Sequence, residues 1–566
     1  MRTFISPQLK INTWDDLKPY FENLLERSLS TLESFQQWLR DRSELESVIS
    51  EDLAWRYVRM TCDTANEDKL KAYTYFVSEI EPQISPLSNQ LDEKALACPF
   101  RQNLTRKEYE IMFRSMEKNT QIFREANVPL FAQLSQESQK YGATVGAMTV
   151  EIDGQEVTLQ KASDRLQSTN RQEREEVYRK INERRLKDAS ALNELYNKLV
   201  GIRHQVAKNA DFDNFRDFMF VSMGRFDYTK EDCFAFHEAV QNEVVPLLND
   251  LAQDRKDKLN LAELRPWDLS VDKLGKSPLK PFESGNELLE KTIHCFDKLD
   301  TFLGDCLREM QKLNRFDLES RKGKAPGGYN YPMEETGYPF IFMNATSNFR
   351  DMITLLHEGG HAVHSVLTKD LELNSFRSFT SEVAELASMS MELITMDHWD
   401  IFFSNVEELK RAKRQHLEQI IETLPWVATI DKFQHWIYEN PGHTIAQRTA
   451  EWNKVHAAFS ADIIDWGGLQ PYKDNIWQKQ LHLYEVPFYY IEYGIAQLGA
   501  LAVWKNCKEN PEKGLKQYLA ALSLGYTKPI KEIYATAGVR FDFSKDYISE
   551  LMTFVKGELA KLNESE

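Results

Sequence analysis

Twelve histidines are spread over 566 residues, and two of them stand four apart with a glutamate between them: His357-Glu358-Gly359-Gly360-His361. On a helix, residues i and i+4 lie about 40° apart around the axis and about 6 Å along it, so two imidazoles can converge on one ion. Glu358 then sits close enough to take a proton from an attacking water without being a ligand, and to pass it to a leaving amine. With a glutamate frequency of about 0.07, chance gives roughly 0.02 such matches in a chain of this composition. The neighbours Met352, Ile353, Leu355, Leu356, Ala362 and Val363 predict a buried helix. Buried imidazoles need a partner, which a metal supplies. The competing reading is a core helix with hydrogen-bonded histidines.

His364 shares this face at i+7 from His357, about 10 Å along the axis, too far to join the same ion. It is expected behind the ligands or in the core. A third ligand must come from another element. Residues 381–396, SEVAELASMSMELITM, read as a helix with Glu382, Glu385 and Glu392 on one stripe. Carboxylates among Ala, Leu and Met are costly unless paired or metal-bound. Spacing alone does not choose among the three.

The elements that position these groups are expected to be helical. Glycine (23) and proline (19) are scarce, about 4 % and 3 % against usual levels of roughly 7 % and 5 %, which leaves few helix breakers. Most of residues 12–320 read as helix. Residues 103–126 are an example, with Ile111, Met112, Phe113, Met116 and Phe123 opposite the charges. Residues 164–206 carry Arg and Glu in dense i,i+4 pairing. Two stretches break this texture. In 142–161, Thr149, Glu151, Gln155 and Val157 alternate around Asp153-Gly154, which predicts a hairpin. Residues 322–348 concentrate Gly, Pro and Tyr and end in a short apolar strand, 339–345, just before the histidine helix. The predicted class is mostly α, in two lobes, with a small β-sheet beside the histidine helix. The lobe boundary is placed near 190, giving 1–190 as an N-terminal helical lobe and 191–566 as the catalytic domain.

Lys and Arg number 70 against 87 Asp and Glu, a net charge of −17. That surface repels phosphate backbones and anionic membranes, so neither nucleic acid nor membrane is an expected partner. The six cysteines, Cys62, Cys98, Cys233, Cys295, Cys306 and Cys507, are scattered without C-x-x-C spacing and are expected to be reduced. No apolar run reaches the ~18 residues of a membrane span. The N-terminus lacks an apolar signal core, so a cytoplasmic protein is expected.

With these motifs the chain resembles the thimet oligopeptidase and oligoendopeptidase F family of zinc metallopeptidases. The matching pieces are H-E-x-G-H-x-x-H at 357–364, Glu385-Leu-Ala-Ser388-x-x-x-Glu392, Lys324-Ala-Pro-Gly-Gly-Tyr329, the strand at 339–346, His482-x-Tyr-x-x-Pro-Phe-Tyr489-Tyr490-x-x-Tyr493, and 522–538. The resemblance implies one Zn2+ per chain on His357, His361 and Glu385, with Glu392 orienting a ligand imidazole. Donors to an oxyanion would come from His482 and the tyrosines Tyr489, Tyr490 and Tyr493; which tyrosine serves is left open. The implied fold is a two-lobed helical ellipsoid enclosing a deep substrate channel with the zinc helix on its floor. The implied activity is hydrolysis of internal bonds in short unstructured oligopeptides.

On this reading the 339–346 strand accepts an extended peptide by edge pairing. The substrate-binding residues are then Gly327, Gly328 and Tyr329 of the Gly-rich loop, together with Phe342, Asn344, Ala345 and Tyr490. Gly359 stands where the family carries a bulky apolar residue and is expected to widen a pocket. Two alternatives remain. One is a zinc carboxypeptidase or dipeptidase anchoring a substrate terminus on Lys324 or Arg350. The other is a peptide-binding protein without turnover, against which the presence of Glu358 argues. Oligomeric state is not legible in the sequence.

Overall fold

With few residues to stop them, the helices run long, several well beyond the ordinary three turns. The computed structural model describes residues 2–325 and 327–563. The helices that matter for the site are α1 (Leu32–Cys62), α2 (Arg171–Asn209), α3 (Lys230–Glu243), α4 (Gly285–Leu299), α5 (Phe349–Thr368), α6 (Ser381–Ile394), α7 (Val406–Glu439) and α8 (Ile491–Glu509). The start of the histidine-bearing helix is chemically fixed. Asn348 caps α5 by accepting the Asp351 N–H, and the Asp351 carboxylate accepts the Asn348 N–H in return. The helix expected over 103–126 spans Lys107–Ile122 and buries Ile111, Met112, Phe113 and Met116.

Strands β1 (Thr149–Ile152) and β2 (Gln155–Thr158) form the expected antiparallel hairpin. Asp153 and Gly154 both take positive φ, 51° and 74°, as a two-residue turn of this twist requires. The second sheet holds β3 (Phe316–Glu319), β4 (Tyr329–Tyr331) and β5 (Phe340–Ala345) in the order β3-β5-β4. Strand β5 runs parallel to β3 and antiparallel to β4. This corrects the expectation that the 339–346 strand offers an edge. Phe340, Ile341, Phe342 and Met343 are all buried, which draws β5 to the centre and leaves β3 and the half-buried β4 as the two edges.

Helix α7 joins two cores. Its Leu424, Val427 and Ala428 pack with α3, α4, α5, α6 and α8. Its Ile430, Phe433, Ile437 and Tyr438 pack with α2 and the hairpin region. A third core lies within residues 5–116 and takes in Leu373 and Phe376. Position 190, placed by the sequence at a lobe boundary, lies inside α2, which runs unbroken through it. Among the described residues no helix is long and apolar enough to cross a membrane, and all six cysteines are unbridged.

Candidate active site

Helix α5 carries His357, Glu358 and His361, and α6 carries Glu385 and Glu392. The two helices touch backbone to backbone at Gly360, where a methyl group would stand 2.7 Å from the Ala387 oxygen and from Ser388 Cα. That approach sets Glu385 Oε2 3.3 Å from His357 Nε2 and 3.8 Å from His361 Nε2. Two ligands of a tetrahedral ion with bonds near 2.0 Å stand about 3.3 Å apart, so one divalent ion fits these three atoms. His357 Nδ1 lies 2.6 Å from Glu392 Oε1. In the neutral ring, donation there leaves the Nε2 lone pair facing the cluster. Glu385 is held at both oxygens: the Tyr489 hydroxyl donates to Oε1 (2.9 Å) and Ser388 Oγ donates to Oε2 (3.1 Å). Glu382, the third carboxylate of the stripe, turns elsewhere and accepts the Tyr228 hydroxyl at 2.7 Å.

Burial alone would lower His357, but Glu385 and Glu392 outweigh it and hold the ring well above its ordinary value. Burial would likewise raise Glu385, yet His357, His361 and Tyr489 bring it to about 2. Burial drops His361 to about 4 and pushes Glu358 up to about 7. These groups are crowded on all sides, while the side chains of His357 and His361 keep 19 % and 17 % of their surface open to solvent. The cluster is therefore closely packed yet still reachable from solvent. His364 takes no part: it is buried with both nitrogens unpartnered, stacks on Phe379 at 4.0 Å, and burial lowers it to about 3.

Residues 481–493 approach from the other side through a tight turn. Phe488 sits at φ 67°, its N–H donating to Gln434 Oε1 at 2.7 Å and its carbonyl accepting from Arg225. Arg203 donates to the carbonyls of Leu483 (2.9 Å) and Tyr484. The turn gathers Tyr489, Tyr490 and Tyr493 around His482, with ring centroids 6.1, 4.9 and 5.6 Å away. His482 Nε2 lies 3.3 Å from the Tyr493 hydroxyl. Its Nδ1 lies 2.6 Å from Gln480 Nε2, and Gln480 Oε1 accepts the Trp426 indole N–H at 3.0 Å. An indole N–H only donates, so this amide has one orientation: its NH2 points at Nδ1, and the proton of the neutral ring resides on Nε2. Burial lowers His482 to about 4, which keeps it neutral. Gln480 escaped the sequence reading because its indole partner lies 54 residues upstream.

Several expected substrate contacts are structural instead, because β5 is central. The Phe342 side chain is fully buried and stacks on Tyr329 at 4.8 Å. Tyr329 reaches Thr61 of α1 through its hydroxyl (2.6 Å). Ala345 is buried, and the Asn344 amide donates to the carbonyls of Ala325 and Gly327, holding the loop. Gly327, at φ 96°, faces open space, whereas a methyl on Gly328 would stand 3.3 Å from the Phe342 oxygen. Tyr490 is half-buried beside His482, and Arg350 is exposed. The Lys324 side chain is fully buried on Asp317 and the Met343 carbonyl, so it cannot anchor a substrate terminus. Gly359 opens no pocket, since Phe296 of α4 fills the space and a methyl would meet its ring at 2.7 Å. At the β4 edge, Asn330 donates to the Glu358 carbonyl (3.1 Å), tying that edge to α5.

A His/His/Glu cluster with a further carboxylate, Glu358, on the histidine helix, set in a helical fold beside a small sheet, has the pattern of the His-Glu-x-x-His metallopeptidases. Residues 165–553 match the model for peptidase family M3, and residues 4–123 match that for the peptidase M3 N-terminal domain. The chain belongs to peptidase family M3 and is a metalloendopeptidase. It is 22 % identical over 518 residues to the oligoendopeptidase F homolog of Borreliella burgdorferi, covering 87 % of this chain and 85 % of that protein. It is 21 % identical over 496 residues to the oligoendopeptidase F homolog of Lactococcus lactis, with coverages of 87 % and 77 %. Among solved structures, PZ peptidase A with inhibitor 2 matches at TM-score 0.92 and 26 % identity over 99 % of both chains. Oligoendopeptidase-F from Enterococcus faecium shares the fold, with TM-score 0.66 at 17 % identity over 97 % of each chain.

Proposed function

We propose that the protein is a zinc-dependent oligoendopeptidase that hydrolyses internal bonds of short unstructured peptides. The observation that carries this is Glu358 on the same helix as His357 and His361, with Glu385 3.3 Å from His357 Nε2. His357, His361 and Glu385 would hold one Zn2+, and Glu392 would fix the His357 ring. The ion, when bound, polarises a carbonyl and acidifies water.

Glu358 takes the proton of the attacking water on its carboxylate and releases it to the leaving amine. A carboxyl raised toward neutrality by burial suits both steps. The developing oxyanion needs donors. Tyr489 is engaged with Glu385, so we assign this role to Tyr493 and the Nε2–H of His482. The peptide backbone pairs with the β4 edge, which reads main chain rather than side chains. Access through a channel that excludes folded proteins, and a cytoplasmic address, belong to the same proposal. The limited solvent access of the two histidines supports the first and the unbridged cysteines the second.

The test is mass-spectrometric product analysis of an oligopeptide pool, with and without a chelator and with zinc added back. Glu358→Gln runs alongside. Internal cuts are expected, abolished by chelation, restored by zinc, and reduced about 10²–10⁴-fold in a Glu358→Gln protein that retains its metal. Removal of terminal residues alone would make it an exopeptidase. No cleavage by the metal-loaded protein would leave only peptide binding.

A further inference from the structure

Helices α3 and α7 pack together, and each presents an i,i+4 pair of ligand-type residues at the contact. Helix α3 supplies Cys233 and His237, and α7 supplies Asp431 and His435. All four are buried, with exposures of 1 %, 2 %, 0 % and 3 %. The ligand atoms of Cys233, Asp431 and His435 lie within 4.8 Å of one another. Asp431 Oδ2 is 2.8 Å from His237 Nε2 and 3.2 Å from His435 Nε2.

Protein partners do not satisfy this cluster. Asp431 Oδ1 and His435 Nδ1 are buried without a hydrogen-bond partner, and His435 Nε2, although 3.2 Å from Asp431 Oδ2, makes no well-aligned hydrogen bond. Buried polar groups are rarely left so, because each forfeits its hydration with nothing in return. The ring of His435 meets Phe220, Phe234 and Phe488 at 6.2, 4.9 and 5.5 Å and His237 at 5.8 Å, so its polar neighbours are the members of the cluster itself. A His–Asp–His hydrogen-bonded chain would use one oxygen of Asp431 and leave the other orphaned, together with a nitrogen of His435.

We infer that Cys233, Asp431 and His435 form a second metal site that takes Zn2+ or a similar borderline-soft divalent ion, with His237 hydrogen-bonded to Asp431 beside it. The donor set suits such an ion: thiolate and imidazole are its preferred ligands. One thiolate and one carboxylate cancel the charge of a divalent cation, so no net charge is left in the core. Ligands of one tetrahedral ion stand about 3.3 Å apart, near the observed His435–Asp431 spacing. The site shares no residue with the His357 cluster and does not depend on the activity proposed for it. Its place is behind the His/Tyr turn: Gln434, next to His435, accepts the Phe488 N–H, and the Phe488 ring packs on His435. A metal here is a staple between α3 and α7, not a participant in hydrolysis.

The full-length protein, produced in cobalt-supplemented medium so that the buried site fills as the chain folds, tests this. A thiolate ligand gives Co2+ an intense near-ultraviolet sulfur-to-metal charge-transfer band, which a His/His/Glu site cannot produce. The expected result is the band in the wild type with two metal equivalents per chain. Cys233→Ser should lose the band and one equivalent, and His361→Ala should keep the band while losing the other. His435→Gln, which retains every cysteine, should also lose one equivalent, and it stands in if Cys233→Ser fails to fold. A folded wild type without the band overturns the inference and leaves a hydrogen-bonded cluster. A band that survives in Cys233→Ser overturns it by placing the thiolate elsewhere. Loss of the His361-dependent equivalent alone would count against the proposed catalytic site and not against this one.

Discussion

Replacing Gln480 by glutamate exchanges one nitrogen for oxygen and leaves the shape unchanged, yet it reverses the hydrogen bond that His482 receives. In the native protein the Trp426 N–H occupies Gln480 Oε1, so the amide NH2 donates to Nδ1 and the ring proton sits on Nε2, toward Tyr493. An ionised carboxylate has no proton to give. It draws the ring proton to Nδ1 and leaves a lone pair on Nε2, where an oxyanion would meet repulsion. Removing one preorganised donor of this kind costs about 10²–10³ in kcat, or about 2.7–4 kcal/mol. The pH profile separates this from simple damage. Burial holds native His482 at about 4, and a carboxylate within hydrogen-bond reach raises such a group by about 1–3 units. The variant ring therefore regains its Nε2–H on protonation, near pH 5–7 by that arithmetic. Steady-state kinetics on an internally quenched peptide, from about pH 5.5 to 8.5, should show a kcat defect that is largest at high pH and shrinks toward the acid end, with KM little changed. Nitrogen-15 spectra of the His482 ring should report the switched tautomer. A defect equal at every pH, or one confined to KM, would refute the reasoning.

Gly360→Ala places a methyl 2.7 Å from backbone atoms of α6, which no rotamer change can relieve. The expected outcome is a loss of about 1–3 kcal/mol in stability, with weaker metal retention on dialysis because Glu385 is displaced; calorimetry and metal analysis check the two parts. Glu492 is buried beside Arg225 at 3.0 Å, and burial together with the neighbouring Glu382 raises it to about 8. A carboxyl raised above its unfolded value stabilises the fold fully below about pH 4.5, and that stabilisation is lost as pH rises toward 8. Glu492→Gln should therefore flatten the decline in melting temperature between about pH 5 and 8; an unchanged pH slope would contradict the assignment.

The histidine helix and the carboxylate stripe were legible because each is a local pattern whose periodicity is set by one helix. The hairpin was legible because Asp-Gly selects one turn. Which carboxylate faces the histidines was not, since it depends on where α5 and α6 touch. The small residue that permits the contact, Gly360, lies inside the motif itself. The 339–345 run showed a strand but not its neighbours: three residues of β4 decide that it is central. Lys324 read as a free cation and is a buried tie between Asp317 and the Met343 carbonyl. The cysteines look scattered because none shows C-x-x-C spacing; Cys233-x-x-x-His237 and Asp431-x-x-x-His435 follow the same i,i+4 rule as the histidine pair, but only packing brings them together.

The guanidiniums of Arg203 and Arg225 have a bearing on modularity. The carbonyls of Leu483, Tyr484 and Phe488 take their donors from these two side chains, which lie more than a hundred residues before the histidine helix. A fragment beginning at residue 317 would contain every ligand, the base and all three tyrosines, yet the turn that aims them would have lost its ties. The portion bearing the recognisable motifs is thus not a transplantable unit. The shortest self-sufficient chain begins no later than α2, and the residues upstream of the motifs act as internal struts rather than as a detachable cover.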